Sequence, residues 1–353
     1  MPHATSRRLQ AARIDIVRRV LVTVAALVVF RFASIIPIPG IALEDPSFAT
    51  DDFLKRLSFM AVGVIAWVSA VTLAELVVLL LPPRVTSQIT HEGHANPFAF
   101  PIVTFAFAMS ALQGYGIAVA LEQMRNLVVD PGSSFRLVTS VSMMTGTAFA
   151  VCIARMIQTA GVGWGFWVLW AALGLDHLGI EAARLIAMVQ QGAIGPLPVL
   201  AVGAGAVATI AGAVLLLRAR RNLGLRNAAP IVWPIHLYAL VIPWVGILCG
   251  LVANGSIEQE RTFEELLFPE RPIGAILAAI LIAAFVWRMT SREGARPFRL
   301  PTTAILLMAL AASLMAKHAT GGLWFPAATL MLISAVGTAI VTTVWERWNN
   351  KSS

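Results

Sequence analysis

Charge is scarce in this chain. Asp, Glu, Lys and Arg make up only 12% of its 353 residues, against 58% hydrophobic residues and a mean hydropathy of +0.80. That balance excludes a soluble globular domain. Cysteine is nearly absent as well: Cys152 and Cys249 both fall inside apolar runs, so neither speaks to disulfides or to redox compartment. Signatures of covalent chemistry are missing too, with no Walker A motif, no CxxC and no GxGxxG. His91-Glu92-Gly93-His94 lacks the two-residue separation of a zinc-protease HExxH and reads as an exposed loop. Asp176-His177 has no nucleophile beside it. The chain is therefore expected to have no catalytic residue, metal ligand or cofactor, and energy for work must come from a partner or an ion gradient.

What the chain does have is apolar runs of about 20 residues, the length that crosses a hydrocarbon core of about 30 Å. Ten are expected, at 20–38, 58–81, 99–121, 137–157, 163–178, 196–217, 231–252, 273–289, 301–317 and 324–345. The first is not a cleavable signal, because it carries Arg31, outruns an h-region and lacks a small-x-small site. Placing the N-terminus in the cytosol separates the charges. Inner segments then hold seventeen cationic residues against four acidic ones (Asp15, Glu92, Glu293, Glu346), and outer segments hold eight against thirteen. This is the positive-inside pattern, and an even span count returns the C-terminus to the cytosol of a cell (inner) membrane protein. The net charge of +8 thus belongs to one face. Topology alone accounts for it; the same face suits anionic lipid headgroups, ribosomal RNA or an acidic partner.

The expected organisation is a basic segment over 1–19, a first five-helix half over 20–192, a second over 193–345 and a cytosolic tail over 346–353. Thr50-Asp51-Asp52 has the chemistry of a helix start. Ile180–Gln191 reads either as an amphipathic surface helix or as an extension of the fifth span. Ser256–Arg271 is the largest acidic feature. Glycines and prolines such as Gly161, Gly163, Gly165, Pro243 and Pro326 point either to irregular backbone lining a cavity or to close helix packing. Trp164, Trp167 and Trp170 form one stripe on the fifth span, with Trp170 too deep for an interfacial belt. Glu75 inside the second span faces either an aqueous funnel or a hydrogen-bonding neighbour helix. Arg31 and Glu75 lie at different depths and supply no midplane site for a small-molecule transporter.

The run FRFASIIPIPGI (Phe30–Ile41) resembles the end of the first span of SecY, the channel-forming subunit of the Sec translocon. Ser58–Ala70 resembles that family's second span, and Asp130-Pro131-Gly132, Met143–Phe149 and Thr159–Gly165 its fourth and fifth. The family's GIGNG stands here as GVGWG, and Val241-Ile242-Pro243 repeats its seventh-span motif. The resemblance implies an all-α fold of about ten transmembrane helices in two halves around a central pore. It maps an apolar pore ring onto Val64, Val68, Trp170, Val245 and Leu332, which excludes water by dewetting. It places a lateral gate at Ser69, Thr72, Glu75 and Gln113 against Pro243, Gly246 and Cys249. Cytosolic docking would fall to Arg218, Arg220, Arg221, Arg226, Arg288, Arg292, Arg296 and Arg299.

The implied function is a protein-conducting channel or insertase; a non-conducting paralogue acting as scaffold or assembly factor is the alternative. Implied partners are small SecE/SecG-like membrane subunits, nascent or unfolded polypeptide, and a ribosome or SecA-type motor. The chain departs from the family in its short segment between Gly40 and Arg56, where a plug would fold, in Trp170 for a smaller aliphatic residue, and in its shortened inner loops.

Overall fold

The computed structural model describes residues 2–41, 57–60, 62–91, 94–124, 127–222, 231–238, 272–320 and 327–352. Its main helices are α1 (Pro2–Ala33), α2 (Gly63–Leu80), α3 (Phe100–Glu122), α4 (Ser133–Ala160) and α5 (Gly165–Gln190). These are followed by α6 (Pro196–Asn222), α7 (residues 231–238), α8 (Pro272–Arg292), α9 (Arg299–Thr320) and α10 (Ala327–Ser352). Between α2 and α3 lies a small antiparallel hairpin, β1 (Thr90–His91) with β2 (His94–Ala95).

Six helical segments among the described residues are long and apolar enough to cross a bilayer: Gly63–Leu80, Phe100–Glu122, Ser133–Ala160, Pro196–Asn222, Ile273–Arg292 and Arg296–Met315. The apolar residues also face outward. Phe100, Leu112, Leu197, Leu200, Val207 and Ile276 are all exposed, a surface suited to lipid and costly in water. The chain is an all-α polytopic membrane protein. Of the ten expected runs, the first and fifth lie in the long helices α1 and α5, outside that set of six. The tenth lies in α10, which carries a shorter apolar stretch, Thr329–Val344, and the seventh is described only over 231–238.

Two boundaries differ from expectation. The first helix ends at Ala33, not near 38, and begins at Pro2, so the basic lead-in and the first apolar run form one helix. At 32 residues it is about 48 Å long, more than a bilayer core requires. The Pro37-Ile38-Pro39-Gly40 segment cannot continue it, because proline lacks the N–H and clashes with the preceding turn. It runs extended instead, bridging Pro37 to Ser58 and Ile41 to Val128. Ile38 N–H donates to Leu57 O at 2.9 Å, and Val129 N–H to Gly40 O at 3.0 Å. The second difference settles the 180–191 segment, which continues α5 without a break to Gln190. The Thr50-Asp51-Asp52 helix start and the 256–271 acidic loop lie outside the described residues.

Packing is closest where side chains are smallest. A Cβ on Gly146 of α4 would lie 2.1 Å from Phe59 O, and one on Gly63 would lie 2.7 Å from the Gly146 carbonyl carbon. Here α2 and α4 meet backbone to backbone. The α4–α5 turn is strained: Gly163 has φ +90° and Trp164 φ +59°, the left-handed region that a bulky side chain rarely enters. The turn is held by Thr23 of α1, whose Oγ1 accepts from Val162 N–H at 3.0 Å, and by Gln158 Oε1, which accepts from Gly165 N–H at 2.8 Å. Helix α10 joins the N-terminal portion (α1–α5) to the C-terminal portion (α6–α10), packing on α1 and α5 on one side and on α6 and α9 on the other.

Candidate functional site: an aromatic seam and a buried ion cluster

The interior of the bundle is apolar. Val64 of α2, Trp170 of α5 and Leu332 of α10 are buried in one continuous core, and half-buried Val68 packs against it. These four residues, which the resemblance assigns to a pore ring, share the same interior; Val245 lies outside the described residues. Trp170 packs internally, as its depth in the sequence predicts, and is 8% exposed. It stacks on Trp167 one turn earlier, with ring centres 5.7 Å apart and planes 24° from parallel. Both rings meet Trp233 of α7, at 5.2 Å from Trp167 and 5.4 Å from Trp170, and Trp170 also meets His236 at 4.3 Å. An aromatic seam thus joins the two portions of the chain. Such ring contacts add about 0.5–1.5 kcal/mol each beyond their packing.

A second junction is ionic. Glu75, five residues from the end of α2, is 1% exposed and has both carboxylate oxygens engaged. His94 Nδ1 lies 2.7 Å from its Oε1, and the Ala95 N–H donates to its Oε2 at 2.7 Å. The other ring nitrogen of His94, Nε2, lies 3.1 Å from Oε1 of Glu293, just beyond α8. Arg220, near the end of α6 and fully buried, donates from Nη2 to the remaining Glu293 oxygen. Four residues from four segments form one chain of charge, Glu75–His94–Glu293–Arg220, two from each portion of the protein.

Burial alone would lower the His94 pKa. The hydrogen bonds to Glu293 and Glu75, with their charges, outweigh it and raise the imidazole to about 9. Burial would likewise raise Glu293, but the bond from His94 and the Arg220 charge hold it below the ordinary carboxylate range. The cluster therefore carries an imidazolium and a carboxylate at neutral pH. Next to it, Arg288 Nε donates to Leu79 O at 3.2 Å, and Arg292 Nη2 to Leu81 O at 2.9 Å. Cations on the last carbonyls of α2 meet the negative end of that helix.

No protein-family model matches the chain. Curated relatives do. Over 240 residues it is 27% identical to the protein translocase subunit SecY of Vibrio cholerae serotype O1, covering 63% of this chain and 54% of that protein. Over 198 residues it is 28% identical to SecY of Escherichia coli K12 (50% and 44%), and over 230 residues 25% identical to SecY of Rickettsia bellii (59% and 53%). The chain is a divergent SecY-like protein. It spans about half the length of the curated relatives it matches.

The residues that the SecY resemblance assigns to a lateral gate are placed unevenly. Ser69 is half-buried, and Thr72 is buried with its hydroxyl donating to Val68 O at 2.7 Å. Gln113 keeps a buried Oε1 with no hydrogen-bond partner among the described residues. Pro243, Gly246 and Cys249, like Arg226, lie outside the described residues. Glu75 is hydrogen-bonded, but to His94 and Ala95 of the hairpin and not to the neighbour helix expected from the sequence.

Two readings of this SecY-like sequence change. His94 does not sit in an exposed loop; it is 8% exposed and bonded on both nitrogens. Arg220 is turned inward by Glu293, so it is withdrawn from the surface proposed for docking. Arg218, Arg288 and Arg296 are exposed and Arg221 half-buried, while Arg299 lies 4.0 Å over the Trp287 ring and donates to Ser291 Oγ at 2.6 Å. Sequence reasoning counted Glu293 only among the inner acidic residues and did not single out Trp233 or His236. Their partners are up to 199 residues away, and no spacing rule spans that distance.

Proposed function

We propose that this chain is a shortened SecY-like channel subunit of the inner membrane that admits unfolded polypeptide and releases apolar segments sideways into lipid. It performs no covalent chemistry. One observation carries the reading: Val64, Val68, Trp170 and Leu332, from three helices of both portions, converge on one apolar interior. An apolar constriction excludes water and ions yet yields to a passing chain. The proposed frame is ten spans in two five-helix halves, 20–192 and 193–345, with both termini cytosolic. The long helices α1, α5 and α10 support it by adding to the six apolar crossings. Small SecE/SecG-like subunits would clamp the halves, and exposed Arg218, Arg288 and Arg296 would face anionic lipids, a ribosome or a SecA-type motor.

The lateral gate would lie between Ser69, Thr72, Glu75 and Gln113 and the residues Pro243, Gly246 and Cys249. The unpartnered Gln113 Oε1 supports a polar lining there. The Trp167–Trp170–Trp233 seam favours a second reading, a non-conducting paralogue that serves as scaffold, because three large rings pack against one another between the two portions. Planar-bilayer conductance separates the two. Trp170→Ala is expected to raise ion leak well above the parent if the rings seal a channel. Unchanged conductance in the folded variant sinks the sealing role and favours the scaffold.

A further inference from the structure

The ion cluster has a role that neither the apolar interior nor the resemblance supplies. Glu75 and His94 belong to the N-terminal portion, and Glu293 and Arg220 to the C-terminal portion. The only direct bond of His94 across the divide is to Glu293 among the described residues, and Glu293 in turn holds buried Arg220. Arg288 and Arg292 reach across at the same level onto the carbonyls of α2. We propose that Glu75, His94, Glu293 and Arg220 form a protonation-sensitive clasp that holds the two portions together at the arginine-rich face and opens when the imidazolium loses its proton. That opening lets a channel widen rests on the channel reading above; the clasp itself does not.

The charge pattern explains why protonation matters. With His94 protonated, two carboxylates alternate with two cations, and each buried charge touches an opposite one. Deprotonation leaves Glu75 and Glu293 on either side of a neutral ring, which retains one N–H for two carboxylates. The other ionisable groups facing the site are His91, paired with His94 across the hairpin, and Arg288 and Arg292 from α8.

The test uses the full chain in lipid, in a Cys152→Ser, Cys249→Ser background. Ala95, whose N–H donates to Glu75, is buried in the clasp. Maleimide labelling of Ala95→Cys is measured from pH 7 to 10 and normalised at each pH to Arg296→Cys, which is exposed. Normalised labelling is expected to be slow at pH 7 and to rise about tenfold or more on passing pH 9, the scale expected when a buried charge loses its partner. Adding Glu293→Gln should give fast labelling already at pH 7. Glu122→Gln, which breaks an ion pair with Arg136 within the N-terminal portion, should leave labelling slow. Labelling flat across the pH range overturns the clasp. So does an equal rise with Glu122→Gln, since that marks general loosening. Because the pH series needs no change to the four clasp residues, a misfolded Glu293→Gln variant leaves the proposal testable. Polypeptide conduction plays no part in the readout, so the clasp and the channel reading fail separately.

Discussion

The aromatic seam at Trp167, Trp170 and Trp233 and the ion cluster at Glu75, His94, Glu293 and Arg220 join the same two portions of the chain with opposite chemistry. The seam relies on ring contact, which has no charge to lose and changes little with pH. The cluster relies on charges removed from solvent, which hold only while every partner is present and correctly protonated. Apolar packing therefore makes a default junction, and buried ion pairs make a conditional one.

Removing one charge should break the comparison most sharply. Glu293→Ala strips His94 and buried Arg220 of a shared partner and is expected to cost roughly 3–5 kcal/mol, read as a lower midpoint of thermal unfolding in detergent. A cost within error of zero would mean that the cluster is solvated in practice. Next in size is pH. A group whose folded pKa is raised contributes stability that is fully present below its unfolded value, 6.5 for His94, and is lost as pH rises through about 9. That window corresponds to roughly 3 kcal/mol. Glu293, held low, acts at the other limb and loses its contribution as pH falls. The wild-type protein should therefore lose stability between pH 6.5 and 9, and Glu293→Ala should flatten that slope. A smaller effect belongs to the seam. Trp233→Phe should cost about 1–2 kcal/mol with the wild-type pH slope intact. If Trp233→Phe removed the slope instead, the two junctions would not be independent.

The sequence made the seam half visible. Trp164, Trp167 and Trp170 recur at helical spacing, and that periodicity marks a face without any partner being known. Trp233, on the far side, stands near the start of the expected run at 231–252, and nothing local to it names the fifth-span tryptophans as its partners. The helices were legible for the same reason: each apolar run reports its own length. Ends were less so, because caps and extended turns depend on neighbours. The prolines of Pro37–Gly40 explain locally why α1 stops, but no local pattern announces that the segment pairs with 57–59 and 128–129. His94 shows the limit best. From sequence it stands in a polar loop between two spans; in the fold, the hairpin turns it onto Glu75 and the end of α8 delivers Glu293. A buried charge in one span implies a partner, and Glu75 was that signal, but it did not say where the partner lay.

The central claim is the proposed passage of a polypeptide between the two portions, along the apolar core that Val68, Leu332 and the tryptophans share. Single cysteines at these positions, in a Cys152→Ser, Cys249→Ser background, would be challenged in membranes with an arrested secretory chain carrying one cysteine. The account predicts disulfides from the arrested chain to both Val68→Cys and Leu332→Cys. No disulfide at either position, in membranes where a standard translocon does form one, would contradict it.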